Sequence, residues 1–224
     1  MERLPNTMTR TRLLLLSFAL VSGLPGAAAA QDREPEPIGR FAADVRVAIP
    51  NFPDDQEIAT ALGVTTEDLP GRGLGLSFGI HFYPARLGRV TLGIGGELVM
   101  ARASRTLDPT TEGGTAGPTV NGRFSALSPQ VSLNFGSGRG WSYISGGLGW
   151  GMLTIEREAA PVDDADGSLQ TLNYGGGARW FAKEHLAFTF DLRFHRYGAQ
   201  DATAGRPAYP KGRMMILSAG ISVK

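Results

Sequence analysis

The chain contains no cysteine. That excludes disulfides, thiolate metal sites, a cysteine nucleophile and anchoring through a lipobox. It also lacks any stretch that could cross a bilayer as a helix. The longest apolar run, Leu13 to Leu24, falls well short of the roughly 20 residues such a helix needs. An excess of one charge is missing too, since 22 basic residues face 21 acidic ones. A balanced chain gives no argument for nucleic acid as a partner. Glycine-rich runs occur at Gly93-x-Gly95-Gly96 and Gly175-Gly176-Gly177. Both lie inside strand-like segments rather than at a strand-to-helix junction, so neither is a nucleotide fingerprint. No metal-ligand spacing stands out, and no cofactor is expected. Asp163, Asp164 and Asp166 read as a solvated loop tip before they read as a cation site.

What is present begins with a leader. Arg10 and Arg12 precede the apolar run, followed by Pro25-Gly26 and the small residues Ala27 to Ala30. Charged, apolar and Ala-x-Ala zones in that order predict a secretion signal over 1–30, cleaved near Ala30. A short segment, 31–38, then leads into one domain, 39–224. Removing the signal takes Arg3, Arg10, Arg12 and Glu2 and leaves a net charge of −1.

From Phe41 onward, segments with every second residue apolar recur, the period of a strand with two unlike faces. The expected strands run 41–49, 74–83, 89–103, 123–135, 141–155, 169–181, 186–195 and 213–223. In the seventh the pattern is cleanest: Leu186, Phe188, Phe190, Leu192 and Phe194 alternate with Ala187, Thr189, Asp191, Arg193 and His195. Connections alternate long and short. Tight reversals are expected at Pro84–Gly88, Gly136–Gly140 and Ala182–His185, and long loops at 50–73, 106–122, 156–168 and 198–212. A short helix capped at Asp54 or Asp55 fits the first long loop. Pro129, which cannot donate to a ladder, predicts a bulge or an irregular rim in the fourth strand.

The bilayer interior offers backbone groups no water, so only helices and closed barrels span it. With both termini on one side, all short turns fall on that side and all long loops on the other, the pattern of small outer-membrane barrels. The face opposite the apolar one is mostly glycine, serine, threonine and asparagine, small enough to fill a narrow lumen. Trp141, Trp180, Phe82 and Tyr83 lie beside short turns, where interfacial rings belong. The expected fold is all-β: an eight-stranded antiparallel up-and-down transmembrane β-barrel with short periplasmic turns and long extracellular loops. In architecture the mature region resembles the eight-stranded outer-membrane barrels of the OmpA and OmpX sort. That resemblance implies the cell outer membrane as location, its lipid and lipopolysaccharide and the assembly machinery as partners, and a monomer. Such proteins commonly end their last strand in an aromatic residue, whereas this chain ends Ser222-Val223-Lys224.

Charges on the inward face are few: Asp44, Arg46, Glu97, Arg179, Asp191, Arg193 and His195. An isolated buried charge costs several kcal/mol, roughly, so they must pair. The expected network joins Glu97 to Arg179 or Arg193, and Arg46 to Asp44 or Asp191. A structural or surface-interaction barrel, not an enzyme, is the leading expectation. Three alternatives stand beside it: a narrow solute pore, a lipid-modifying enzyme using His81 or His195 with Ser77 or Ser218, and a soluble lipocalin-like carrier with its apolar faces turned inward.

Overall fold

In the computed structural model, the alternating segments form strands whose edges all find partners. The residues described are 36–109, 115–158, 168–202 and 208–224. The expected signal 1–30, residues 31–35 and the aspartates at 163, 164 and 166 lie outside them. The strands are β1 (Phe41–Asn51), β2 (Leu74–Leu87), β3 (Val90–Thr106), β4 (Thr119–Ser137), β5 (Gly140–Arg157), β6 (Leu169–Phe181), β7 (Leu186–Tyr197) and β8 (Gly212–Val223). Each pairs antiparallel with the next. β1 closes on β8 from Ala43 opposite Val223 to Asn51 opposite Met215, making a closed barrel. Closure leaves no open edge, so each strand has a hydrogen-bonded neighbour on both sides.

The orientation of the faces decides what kind of barrel this is. Phe188, Phe190 and Leu192 on β7, Leu74, Leu76, Phe78, Ile80 and Phe82 on β2, and Leu217 and Ile221 on β8 all point outward and are exposed. Leu148 is 72% exposed and Trp180 55%. A lipocalin-like carrier would bury such residues, so the carrier reading is withdrawn. Outward apolar residues on β7 run from Leu186 to Phe194 before Arg196. At about 3.4 Å per residue and a tilt of about 40°, their Cα positions span roughly 20 Å, near the apolar band of a membrane barrel. No described helix is long and apolar enough to cross a membrane.

Three features differ in detail from the sequence reading. Pro84 does not open a turn: β2 continues to Leu87, and the pairing with β3 slips by one residue between Phe82 and Ala85. The reversal comes at Gly88-Arg89, where Gly88 takes φ +61°. A positive φ at the first of two loop residues suits a tight hairpin and favours glycine there. Pro129 makes no bulge, but the β4–β5 pairing is interrupted beside it, between Leu127 and Val131. It lies opposite Gly96, and on its other side the β4–β5 register is the same before the proline (Leu127 opposite Trp150) as after it (Val131 opposite Gly146). Gly147 is what accommodates it: a Cβ there would sit 1.8 Å from the Pro129 carbonyl oxygen. The glycine lets the backbones crowd, so the ladder yields locally without changing register. The long loops are shorter than expected because β4 starts at Thr119 and β5 continues to Arg157.

In the first long loop, α1 (Gln56–Leu62) begins where sequence placed it. The Asp55 carboxylate accepts the Glu57 N–H at 2.8 Å, and Gly63 closes the helix at φ +65°. The first and last described residues meet the short turns: the Gly138 N–H donates to the Glu36 carbonyl, and the Lys224 N–H to that of His185.

Candidate functional site

The barrel interior is built in three layers, of which the alternation anticipated the middle one. Facing strands bring Asp44 and Arg46 (β1), Glu97 (β3), Arg179 (β6), and Asp191, Arg193 and His195 (β7) inside, all nearly fully buried. Arg179 reaches across the lumen to Asp44 with two parallel bonds, Nε to Oδ1 at 2.9 Å and Nη2 to Oδ2 at 2.5 Å. Its guanidinium also lies 4.5 Å from the centre of the Tyr143 ring. Arg46 pairs with Glu97, stands 3.4 Å from Asp191, and donates to the Ser77 hydroxyl at 3.1 Å. Arg193 bonds Asp191 at 2.8 Å and stands 3.3 Å from Glu97. The three arginines and three carboxylates balance in sign, which is the condition for holding six charges in a low-dielectric interior.

Two of the expected pairings form, Glu97 with Arg193 and Arg46 with Asp191. Glu97 does not pair with Arg179, and Asp44 takes Arg179 in place of Arg46. The forked guanidinium explains the preference, since it matches a carboxylate when it can present two N–H groups side by side. Tyr143 completes the layer, its hydroxyl donating to Asp191 at 2.8 Å. Gly177 leaves room for that reach, because a Cβ there would lie 2.7 Å from the Tyr143 oxygen.

The layer toward the long loops is apolar, which the sequence reading did not foresee. Val99, Phe124, Leu153, Ile155 and Met214 point inward and meet Phe52, Ile58 and Leu69 from the first loop. The fourth loop is pinned there too: the Tyr209 hydroxyl donates to the Ile155 carbonyl and accepts its N–H, both at 3.0 Å. Phe124 joins this layer to the network, meeting the His195 ring edge to face at 5.4 Å.

Toward the short turns the interior is aromatic. Trp141, 3% exposed, packs with Tyr83, Tyr143, Ala42 and Ile38. Trp141 and Tyr83 are therefore interior residues, not the interfacial rings the sequence suggested; Trp180 and Phe82 do face outward. The period of two explains the error: Trp141 shares its face with Tyr143, so one residue's shift in phase moves it from lipid to lumen.

The histidines singled out for chemistry sit beside carboxylates. His81 Nε2 lies 3.6 Å from Asp44 and His195 Nε2 4.0 Å from Glu97. Of the serines considered as nucleophiles, Ser77 accepts from Arg46 and Ser218 lies on β8 in the buried interior. Among the described residues, no cluster of three or more histidine, aspartate or glutamate side chains is placed to hold a metal.

No protein-family model matches the chain, and no curated protein sequence matches it. Solved structures do resemble it. Neisserial surface protein A superposes with a TM-score of 0.48 at 12% identity, covering 82% of this chain and 96% of that one. Ail, the attachment invasion locus protein of Yersinia pestis, gives 0.41 at 16% identity, covering 83% and 99%. The outer membrane protease OmpT from Escherichia coli gives 0.40 at 7% identity, covering 82% and 96%. The likeness is one of overall fold.

Proposed function

We propose that this chain is a sealed barrel of the outer membrane with a structural or surface-interaction role, working through its long loops rather than through its lumen. The observation that carries the reading is the filling of the interior. Aromatic side chains occupy the turn end, a charge-balanced network the middle, and a loop-built apolar plug the mouth. Eight strands leave an interior about wide enough for side chains alone, and these side chains use it. The ion pairs fix the strands relative to one another, so the loops stand on a rigid frame. Such a frame suits recognition by variable loops, the usual place for binding residues on a rigid scaffold.

Against a pore stands the plug: an ion would have to pass Phe52, Phe124 and Tyr209 and then the Arg179–Asp44 fork. Against an enzyme stands the engagement of the candidate groups, because Ser77 and both carboxylates facing the histidines already hold arginine partners. Planar-bilayer recording tests the sealed lumen. The protein inserted at single-molecule density is expected to give a flat baseline at 100 mV, a condition set by the experimenter. Steady, resolved openings would overturn the reading.

A further inference from the structure

Just beyond the apolar band, on the outward face at the loop end, Arg196 of β7 lies directly opposite Arg213 of β8. Both are exposed, and Lys211 stands two residues before Arg213. Like charges directly opposite across neighbouring strands repel and weaken the sheet. Elsewhere on this rim the same arrangement carries its own remedy: Arg102 faces Arg123, and Arg123 pairs with Glu156. At Arg196, Lys211 and Arg213 no described carboxylate comes within ion-pair distance. Asp54 and Asp55 line a groove that Arg213 also borders, and Asp55 is engaged with the Glu57 N–H.

The ground beneath these cations is apolar and aromatic. Tyr174 and Phe194 stack at 5.5 Å, and the Arg213 guanidinium lies over the Phe194 ring at 5.2 Å. Arg196 borders two grooves. One, of about 700 Å³, is lined by Tyr174, Lys211 and Arg213. The other, of about 530 Å³, descends along Leu148, Trp150 and Leu172 into the band that faces lipid tails.

We propose that Arg196, Lys211 and Arg213 form a seat for the phosphate of a membrane lipid, with one acyl chain lying along Leu148, Trp150 and Leu172. The proposal rests on the membrane-barrel reading and deepens it by naming a partner class and its contact residues. A phosphate monoester supplies what the site lacks: oxygens that accept paired N–H groups from two guanidiniums at once, and charge that cancels their repulsion. Attachment to acyl chains places that phosphate at the right depth, immediately outside the hydrocarbon.

The test uses the full barrel in maltoside micelles, titrated with phosphatidic acid, diacylglycerol or inorganic phosphate, with retained adducts counted by native mass spectrometry. Phosphatidic acid is expected to bind the native barrel about tenfold to a hundredfold more tightly than the double variant Arg196→Gln, Arg213→Gln, the loss of one to two charge-assisted contacts. Arg196→Lys with Arg213→Lys should recover part of the difference, and Arg139→Gln at the opposite end should have no effect. Diacylglycerol should bind both proteins alike. Equal affinity for phosphatidic acid in native protein and double variant overturns the site, and displacement of the lipid by inorganic phosphate alone overturns the lipid as its source. Gel migration of unboiled samples reports separately whether each protein is a detergent-stable barrel; if the native chain is not, the membrane reading falls and takes this seat with it.

Discussion

Asp44→Leu should cost the barrel about 3–5 kcal/mol of unfolding free energy, the penalty of leaving a buried guanidinium without its counter-charge. Asp44 is the one described carboxylate within ion-pair distance of Arg179, whose side chain is 1% exposed. Water cannot reach the stranded cation, and a ring face at 4.5 Å offsets little of what a carboxylate supplies. Removing both charges is a different matter. Asp44→Leu combined with Arg179→Met restores neutrality and fills similar volume, so the double variant should return to within about 1–2 kcal/mol of the native protein. Urea titration in lipid vesicles, followed by tryptophan emission, measures all three proteins. A single variant as stable as the native chain, or a double variant no better than the single, would contradict the account of the network.

Arginine placed on the outward face tests the other half of the design. Leu192→Arg and Phe190→Arg fall near the middle of the β7 band, and arginine at that depth is expected to cost about 2–4 kcal/mol. Leu186→Arg falls at the edge of the band, where the expected cost is about 0–1 kcal/mol. The depth profile matters more than any single value. A water-facing sheet would show small, uniform penalties, because arginine on a wet strand surface is tolerated wherever it stands. A lipid-facing one must show a maximum at mid-band.

How far these features could be read from residues alone depends on what each requires. Alternation needs no knowledge of partners, so the strands, their lumen-facing charges and the outward band were legible from segments such as Leu186 to His195. Partner choice inside the lumen was not, since Asp44 and Arg179 stand 135 positions apart and meet only through the stagger of a closed sheet. Pro84 and Pro129 carried the same local signal, a missing donor, yet one lies at a register slip and the other does not. The difference comes from the opposing strand: Gly147 yields to Pro129, a fact no window around Pro129 contains. The apolar plug was hidden for a similar reason. Phe52, Ile58 and Leu69 lie in the first long connection, Ile58 on its short helix, and only the fold brings them onto Val99 and Phe124. Trp141 was misassigned because aromatic position near a turn was given more weight than the phase it shares with Tyr143.

The claim on which all this rests is that one face of the sheet touches lipid tails and the other does not. The three tryptophans suit a direct measurement: Trp150 and Trp180 point outward, and Trp141 is buried within. In vesicles of lipids brominated along their acyl chains, variants keeping only Trp150 or only Trp180 should have their emission strongly quenched, while one keeping only Trp141 should stay bright. Quenching of Trp141 with Trp150 and Trp180 left bright would mean that the faces are reversed, and the membrane barrel would be contradicted.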